Sequence, residues 1–276
     1  MMAQKIFHIF RNTPFGRDTL LQSIYFCRQH RNILLHIYIP AHTQFLMYFE
    51  NNVVTVDLDS SFVSNSETAR EHVDTLLKKT EVDYDFFEPK DFTASTLPNL
   101  PTDIDFMCCP RSISDMSSKI GLGFIGSRVR AIANNATFPL LIPTPVFKQW
   151  TKIAAFFGGS EIGVRAVRLA LRLGKRTGLP VTIFTQCEGT PRTHFEKVLE
   201  DAGLLSQMNE TGVEWTAFER GDLETNLYSV PSDALLVLGT RGQGVVKDLM
   251  FGSKAEQIQA ILPNPLLLLG PNCRVK

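Results

Sequence analysis

A glycine-rich segment near the end of the chain carries the residue types that most suggest a ligand site. It reads GTRGQGVVKDLMFGS from Gly239 to Ser253 and follows the apolar run Ala234–Leu238. Glycines let main-chain N–H groups approach a ligand closely, and several such groups in succession form a cradle for an anion. A helix that begins near Ser253 adds its first amides and the positive end of its dipole. The segment therefore predicts a phosphate-binding loop, in which Arg241 and Lys254 can offset the ligand's charge.

Three phosphate-binding motifs share some of these features. The Walker P-loop fails, because Val245 follows Gly244 where that motif requires a lysine. The dinucleotide fingerprint fails as well, because it opens a βαβ unit and only one strand is left after Ser253. The third spacing, G-x2-G-x9-G-S, is matched at four positions: Gly239, Gly242, Gly252 and Ser253. A tight strand-to-helix connection that holds no ligand is the alternative interpretation.

The chain contains two copies of one long pattern. The segment Gly126–Pro145 aligns without a gap with Gly252–Pro271, and KIFHIFRNTPFG, from Lys5, aligns with KIAAFFGGSEIG, from Lys152. An internal repeat of this length indicates two similar domains. We predict domains at residues 1–148 and 149–276, joined near Phe147–Thr151.

Strand and helix signals alternate within each copy. In the second copy, Ser160 caps a predicted helix, and residues 190–205 form one further helix with Thr190 as its cap. Apolar strands that alternate with helices are typical of a parallel sheet covered on both faces. The sequence therefore predicts an α/β protein of two tandem doubly wound domains. Ligands of such sheets bind beyond the carboxyl ends of the strands, which is where the glycine loop lies.

The first copy is longer by about 21 residues, and the extra residues fall within Thr43–Val63. Two β-prone runs flank Asn51–Asn52, which predicts a hairpin that covers a surface or lengthens a sheet edge. A metal site at Asp57 and Asp59 is the less favoured alternative, because no further ligands follow at loop spacing.

The second copy, from Lys152 to Pro271, resembles the nucleotide-binding universal stress proteins in its glycine spacing and in the GSKAEQI that follows. The resemblance implies five-stranded parallel sheets of the universal stress protein or adenine nucleotide alpha hydrolase-like type. It also implies ATP, with or without Mg²⁺, as the ligand, although a protein that binds no cofactor is the alternative. In the family an Asp at the end of the first strand contacts the nucleoside, and Gly158 takes its place here.

The resemblance assigns the nucleotide to the strand ends, the glycine loop and the helix that follows. The candidate binding residues are Gly158, Ser160, Gln186, Leu238, Gly239, Arg241, Gly242, Gly244, Gly252, Ser253 and Lys254. The first copy lacks the first two loop glycines and has Arg11 at the position of the family's Asp. We therefore expect the first copy not to bind nucleotide.

Other residues give little support to catalysis or to metal binding. The six histidines form no HxH or HExxH pattern, and no nucleophile, base and orienting group can be identified together. Cys108–Cys109 indicate buried residues of the fourth strand rather than a redox pair. Arg165, Arg168 and Arg172 recur along one face of a helix, which is typical of a solvated surface; docking of an acidic partner is the alternative.

Composition excludes several classes of function. The formal net charge is +0, which argues against a nucleic-acid or membrane-surface partner. Five scattered cysteines and the lack of a signal peptide or a long apolar run indicate a cytoplasmic protein. We expect a stress-linked module that binds an adenine nucleotide and an unidentified protein partner. The two copies would form a pseudo-dimer within one chain, and a homodimer of two whole chains is the further alternative. A nucleotide-free scaffold and a slow ATP hydrolase are the alternatives.

Overall fold

The computed structural model describes residues 4–89, 96–113, 125–240 and 253–275. Strands of the first copy are β1 (Gln4–Ile9), β2 (Ile33–Tyr38), β3 (Gln44–Phe49), β4 (Asn52–Asp57), β5 (Tyr84–Phe86), β6 (Asn99–Leu100), β7 (Phe106–Cys108) and β8 (Leu140–Ile142). Its helices are α1 (Pro14–His30), α2 (Ser66–Leu77) and α3 (Ser127–Asn135), and a short 3₁₀ helix covers Ser60–Phe62.

The second copy has the strands β9 (Lys152–Phe156), β10 (Val181–Gln186), β11 (Glu214–Phe218), β12 (Ala234–Gly239) and β13 (Leu266–Leu269). Its helices are α4 (Glu161–Thr177), α5 (Arg192–Asp201), α6 (Leu204–Thr211), α7 (Leu223–Leu227) and α8 (Ser253–Ile261). Within the described ranges, no helix is both long enough and apolar enough to cross a lipid bilayer.

Both copies contribute to one ten-stranded sheet in the order β11-β10-β9-β12-β13-β8-β7-β1-β2-β5. The order of the first five strands is repeated in reverse by the last five, as the internal repeat requires. Within each copy the paired strands are parallel, while β13 and β8 pair antiparallel at the centre, with Leu267 opposite Leu141. The α/β fold with parallel sheets is therefore confirmed, and the final strands of the two copies join them inside one chain.

The extra segment of the first copy forms a second, smaller sheet. β3 and β4 pair antiparallel around Glu50–Asn51, and β6 adds to β3 in parallel. The inward residues Phe45, Met47 and Val56 are fully buried, in the same core cluster as Phe7 of β1. The hairpin therefore covers one face of the first copy instead of extending the main sheet.

The predicted helix at residues 190–205 differs in the structure. α5 begins after Pro191, which provides no side-chain cap, so the prediction of Thr190 as the cap is wrong. The helix also ends early, because Gly203 adopts φ +68°, a left-handed conformation that interrupts a helix and that glycine adopts without strain. α6 then begins as a separate element.

Candidate functional site

The candidate site of the second copy lies at the carboxyl edge of its half of the sheet. β9, β10 and β12 are neighbours in this half, with β9 in the middle. Gly158 follows β9, Gln186 ends β10 and Gly239 ends β12. Ligands of parallel α/β sheets bind beyond this edge.

The backbone at Gly158 leaves room for a side chain. Gly158 is exposed, and a Cβ atom added to it would meet no heavy atom of the described residues within 4 Å. Its φ angle is outside the positive range, whereas that of the next residue, Gly159, is +77°. Position 158 thus accepts a side chain without rearrangement of the backbone.

Ser160 caps the helix after β9, as the sequence predicts. Its Oγ accepts a hydrogen bond of 3.2 Å from the N–H of Gly163. A capping serine satisfies one of the free amides at the start of a helix. The capping bond accounts for the serine without a ligand, although a hydroxyl can still donate its own proton.

Two other candidate residues have side chains that are already engaged within the protein. The Gln186 side chain donates to the carbonyl of Gly221 at 2.9 Å and accepts from Asn226 at 2.8 Å. Leu238 is 2% exposed and packs in the core, so its side chain does not face the edge. Only the main chain of Gln186 and Leu238 is therefore suited to contact a ligand.

Gly239 has a packing role that the sequence did not reveal. A Cβ at this position would lie 2.8 Å from Cγ2 of Ile162 on α4, which is closer than real contacts allow. Close approach of helix and strand thus explains one of the glycines. Four further candidate residues lie outside the described residues: Arg241, Gly242, Gly244 and Gly252. Ser253 is described only as the first residue of α8.

Lys254 is paired across the candidate site. Its Nζ lies 2.7 Å from a carboxylate oxygen of Glu188, which follows β10. The ion pair therefore joins the connection after β10 to the start of α8. Because both side chains are about half exposed, the pair contributes little stability.

The structure adds features that the sequence analysis missed. Thr240 is fully buried, and its Oγ1 has no hydrogen-bond partner among the described residues. Phe184 stacks on Phe218 with ring centroids 6.0 Å apart and lies 5.8 Å from the ring of Phe156. Phe156 and Phe218 are the last residues of β9 and β11, and Phe184 lies two residues before the end of β10, so the three rings lie near the carboxyl edge of the sheet. A run of aromatic residues at matching positions of three predicted strands was the signal that could have identified them.

The equivalent edge of the first copy is occupied by the chain's own side chains. Arg11, at the position of Gly158, lies 3.6 Å from the carboxylate of Asp59 and 5.2 Å from the ring centroid of Phe62. Hydrogen bonds from Ser61, with the charge of Arg11, lower the pKa of the Asp59 carboxyl. The N–H of Asp59 donates to the carbonyl of Ile113 at 2.8 Å. The segment after the inserted hairpin thus packs against Arg11, whereas no described residue packs in this way against Gly158 of the second copy.

The sequence also raised a redox pair at Cys108–Cys109 and a metal site at Asp57 and Asp59. Cys108 and Cys109 are fully buried and unpaired, and burial raises the pKa of the Cys108 thiol to about 12. Such thiols are poor nucleophiles, which supports the structural interpretation. Asp57 forms an ion pair with Arg128. No group of three or more potential metal-binding side chains occurs among the residues that the structure describes.

Comparison of the whole chain with solved structures identifies the fold. A universal stress protein from Archaeoglobus fulgidus has a TM-score of 0.60 and 14% identity, with 98% of this chain and 99% of that chain covered. A putative universal stress protein from Pseudomonas aeruginosa has a TM-score of 0.59 and 11% identity, with 98% and 94% covered.

A functionally unknown protein from Pseudomonas aeruginosa gives a TM-score of 0.58 and 10% identity, with 98% of this chain and 93% of that chain covered. The sequence itself matches no family model and no curated protein. The likeness extends over both copies, including the central pair of strands. The resemblance seen in the glycine spacing is therefore confirmed at the level of the fold: the chain has the two-copy architecture of a universal stress protein.

Proposed function

We propose that this protein is a regulatory module that binds an adenine nucleotide, ATP, at the carboxyl edge of its second copy. One observation carries the proposal: no atom of the described residues packs against the exposed Gly158, whereas Arg11 at the equivalent position of the first copy contacts Asp59. Two copies of one fold that differ in this way are best explained if only one has kept a ligand.

The residues around the open edge have the chemistry that a nucleotide needs. Lys254 at the start of α8 supplies a cation where phosphates would lie, and the buried hydroxyl of Thr240 offers a hydrogen bond at the start of the glycine segment. Phe156 and Phe218 provide partly buried aromatic surface near the strand ends, which suits a purine ring. Bound ATP would supply a polyphosphate and a base, and the protein's groups would hold them without chemical change.

Regulation requires that the ligand bind two conformations unequally. The ion pair between Glu188 and Lys254 offers such a difference, because phosphates that contact Lys254 would compete with the carboxylate. The connection after β10 would then have two arrangements, paired and released. A partner protein that recognises one arrangement would sense the nucleotide.

A nucleotide-free scaffold is a second candidate, supported by two observations. Lys254 is already neutralised by Glu188, and Gly239 is explained by its contact with Ile162. In that case the open edge would itself receive a protein partner. For either function we place the protein in the cytoplasm, since all five cysteines are unpaired and buried, as suits a reducing compartment.

Calorimetry of the full chain with ATP and ADP, together with mass spectrometry of the purified protein, separates these functions. The repeat supplies a matched pair of variants, because Lys254 aligns with Arg128 of the first copy. We expect saturable binding that Lys254→Ala weakens about threefold to tenfold and Arg128→Ala leaves unchanged. No heat at millimolar ATP, with no co-purified nucleotide, would establish the scaffold instead.

A further inference from the structure

A cavity lies away from the nucleotide edge, where the two copies meet. It has a volume of about 450 Å³ and is open to solvent on one side. Its walls come from α4, from the C-terminal segment after β13, from the end of α3 and from the tip of the inserted hairpin at Glu50–Asn51. Cavities of this volume are typical of small-molecule sites.

The cavity is built by contacts between segments far apart in the sequence. A Cβ at Gly270 would lie 1.6 Å from the carbonyl oxygen of Ala133, so only glycine lets the C-terminal segment pass the end of α3. Beyond it, the N–H of Arg274 donates to the carbonyl of Thr137 at 2.8 Å. The side chain of Asn272 donates to the carbonyl of Asn134 at 3.0 Å. These bonds fix the segment as a wall.

The hairpin tip closes the opposite side. A carboxylate oxygen of Glu50 lies 2.6 Å from Nη2 of Arg274, and the side-chain amide of Asn52 donates to that of Asn135 at 3.2 Å. The hairpin belongs to the extra segment of the first copy, so this wall of the cavity comes from the first copy alone.

The charged residues of the cavity are mainly arginines. Arg165, Arg168 and Arg274 line it, against one carboxylate, that of Glu50. Arg165 donates to the carbonyls of Pro271 at 2.9 Å and Cys273 at 3.1 Å and forms an ion pair with Glu161. A guanidinium has five N–H donors, so some donors of Arg165 remain available to a ligand.

Arg168 carries the charge that is least compensated. Its single hydrogen bond within the described part of the chain is a long one, 3.4 Å to the carbonyl of Ala202, and no carboxylate there lies within salt-bridge distance. Both Arg165 and Arg168 are partly buried, so the expected solvated outer face is wrong for these two and holds only for the exposed Arg172. A partly buried guanidinium without a counter-ion favours an anionic ligand.

We propose that the cavity binds a small polyanion that carries two or more carboxylate or phosphate groups. Arg168 supplies its main contact, while Arg165 and Arg274 bind a second acid group through their remaining N–H donors. Glu50 competes with the ligand for Arg274. The proposal is independent of the nucleotide site, because Gly158 and Lys254 lie outside this cavity.

Calorimetry of the full chain with citrate and with pyrophosphate, at constant ionic strength, tests the proposal and distinguishes polycarboxylates from phosphates. We expect saturable binding of at least one of them. Arg168→Ala should weaken it about tenfold, since a charge-assisted hydrogen bond is lost. Arg168→Lys, which keeps the charge but loses the planar fork, should weaken it by less, and Glu50→Gln should strengthen it.

Arg172→Ala is the matched control, because it removes the same charge one turn further along α4, outside this cavity. It should leave citrate or pyrophosphate binding unchanged, as should Lys254→Ala at the nucleotide edge. The proposal is overturned if neither anion binds at millimolar concentration. It is equally overturned if Arg172→Ala weakens binding as much as Arg168→Ala, since that pattern indicates diffuse attraction to the helix.

Discussion

Replacing Gly158 by aspartate should tighten the binding of ATP. The substitution places a carboxylate at the end of β9. The resemblance of the second copy to nucleotide-binding universal stress proteins implies an Asp at this position. A Cβ at residue 158 meets no heavy atom of the described part of the chain within 4 Å, and the φ angle of Gly158 is not positive. An L-residue therefore fits the existing backbone, and the fold should be unchanged.

The size of the effect follows from the bonds that the carboxylate can make. Hydrogen bonds to a charged group contribute about 1.5–3 kcal/mol, and every 1.4 kcal/mol is about tenfold in affinity. Gly158→Asp should therefore lower the Kd for ATP by about 10- to 150-fold. Since the residue is exposed, the lower end of that range is the better expectation.

The assay is calorimetry with ATP and with an analogue that lacks both ribose hydroxyls. The gain from Gly158→Asp should appear with ATP and disappear with the analogue, because those hydroxyls are the donors to the new carboxylate. Gly158→Ala, which adds the Cβ alone, should leave the Kd unchanged. Equal Kd values for the unmodified chain and Gly158→Asp would refute the placement of the ribose beside β9.

Three further predictions concern stability and the candidate site. Burial lowers the pKa of His8 to about 3 and that of His30 to about 4, so both are neutral in the fold. The unfolded chain takes up the extra protons as the pH falls through 6.5, whereas thiols that are buried in the fold, such as Cys108, lose protons in the unfolded chain above about pH 8.5. Urea denaturation should therefore show a free energy of unfolding that is level between about pH 7 and pH 8 and that falls from pH 6.5 to pH 4, by about 3 kcal/mol for each histidine. Gly270→Ala should lower the free energy of unfolding by about 1–3 kcal/mol, because its Cβ would overlap a main-chain carbonyl of α3; urea denaturation with Gly158→Ala as the control measures it. Glu188→Gln should lower the Kd for ATP about twofold to fivefold in calorimetry, because it releases Lys254 from an exposed ion pair, and no change would show that Lys254 does not contact the ligand.

The repeat was the most informative feature of the sequence for the fold. Alignment of Gly126–Pro145 with Gly252–Pro271 places both final strands in equivalent positions, and β8 and β13 meet at the centre of the sheet. Local patterns were less reliable. The break at Gly203 was missed because a glycine inside a helical pattern is often tolerated, and only the backbone conformation shows that this one is not.

Residues that depend on contacts between distant elements were the hardest to interpret. In the sequence, a glycine at position 239 is equally consistent with contact to a ligand and with close approach of Ile162. Only the packing of α4 on β12 shows that Ile162 lies against Gly239. Likewise, the face of α4 that carries Arg165 and Arg168 looks solvated in a helical projection. The C-terminal segment and Ala202 cover it, and neither is close to it in sequence.

The central pair of strands explains why the fold needs the first copy, although side chains of the protein itself fill the edge of that copy at Arg11. β13 consists of leucines that are at most 1% exposed, and β8 of the first copy pairs along one side of it. Without that partner, β13 would become an apolar edge strand, which promotes aggregation. Each newly exposed leucine would also cost about 1.5–3 kcal/mol. β8 and its supporting core are therefore needed for the fold, whereas the edge at Arg11 takes no part in the pairing with β13. If the second copy binds the proposed ligand, the first copy would serve to stabilise it.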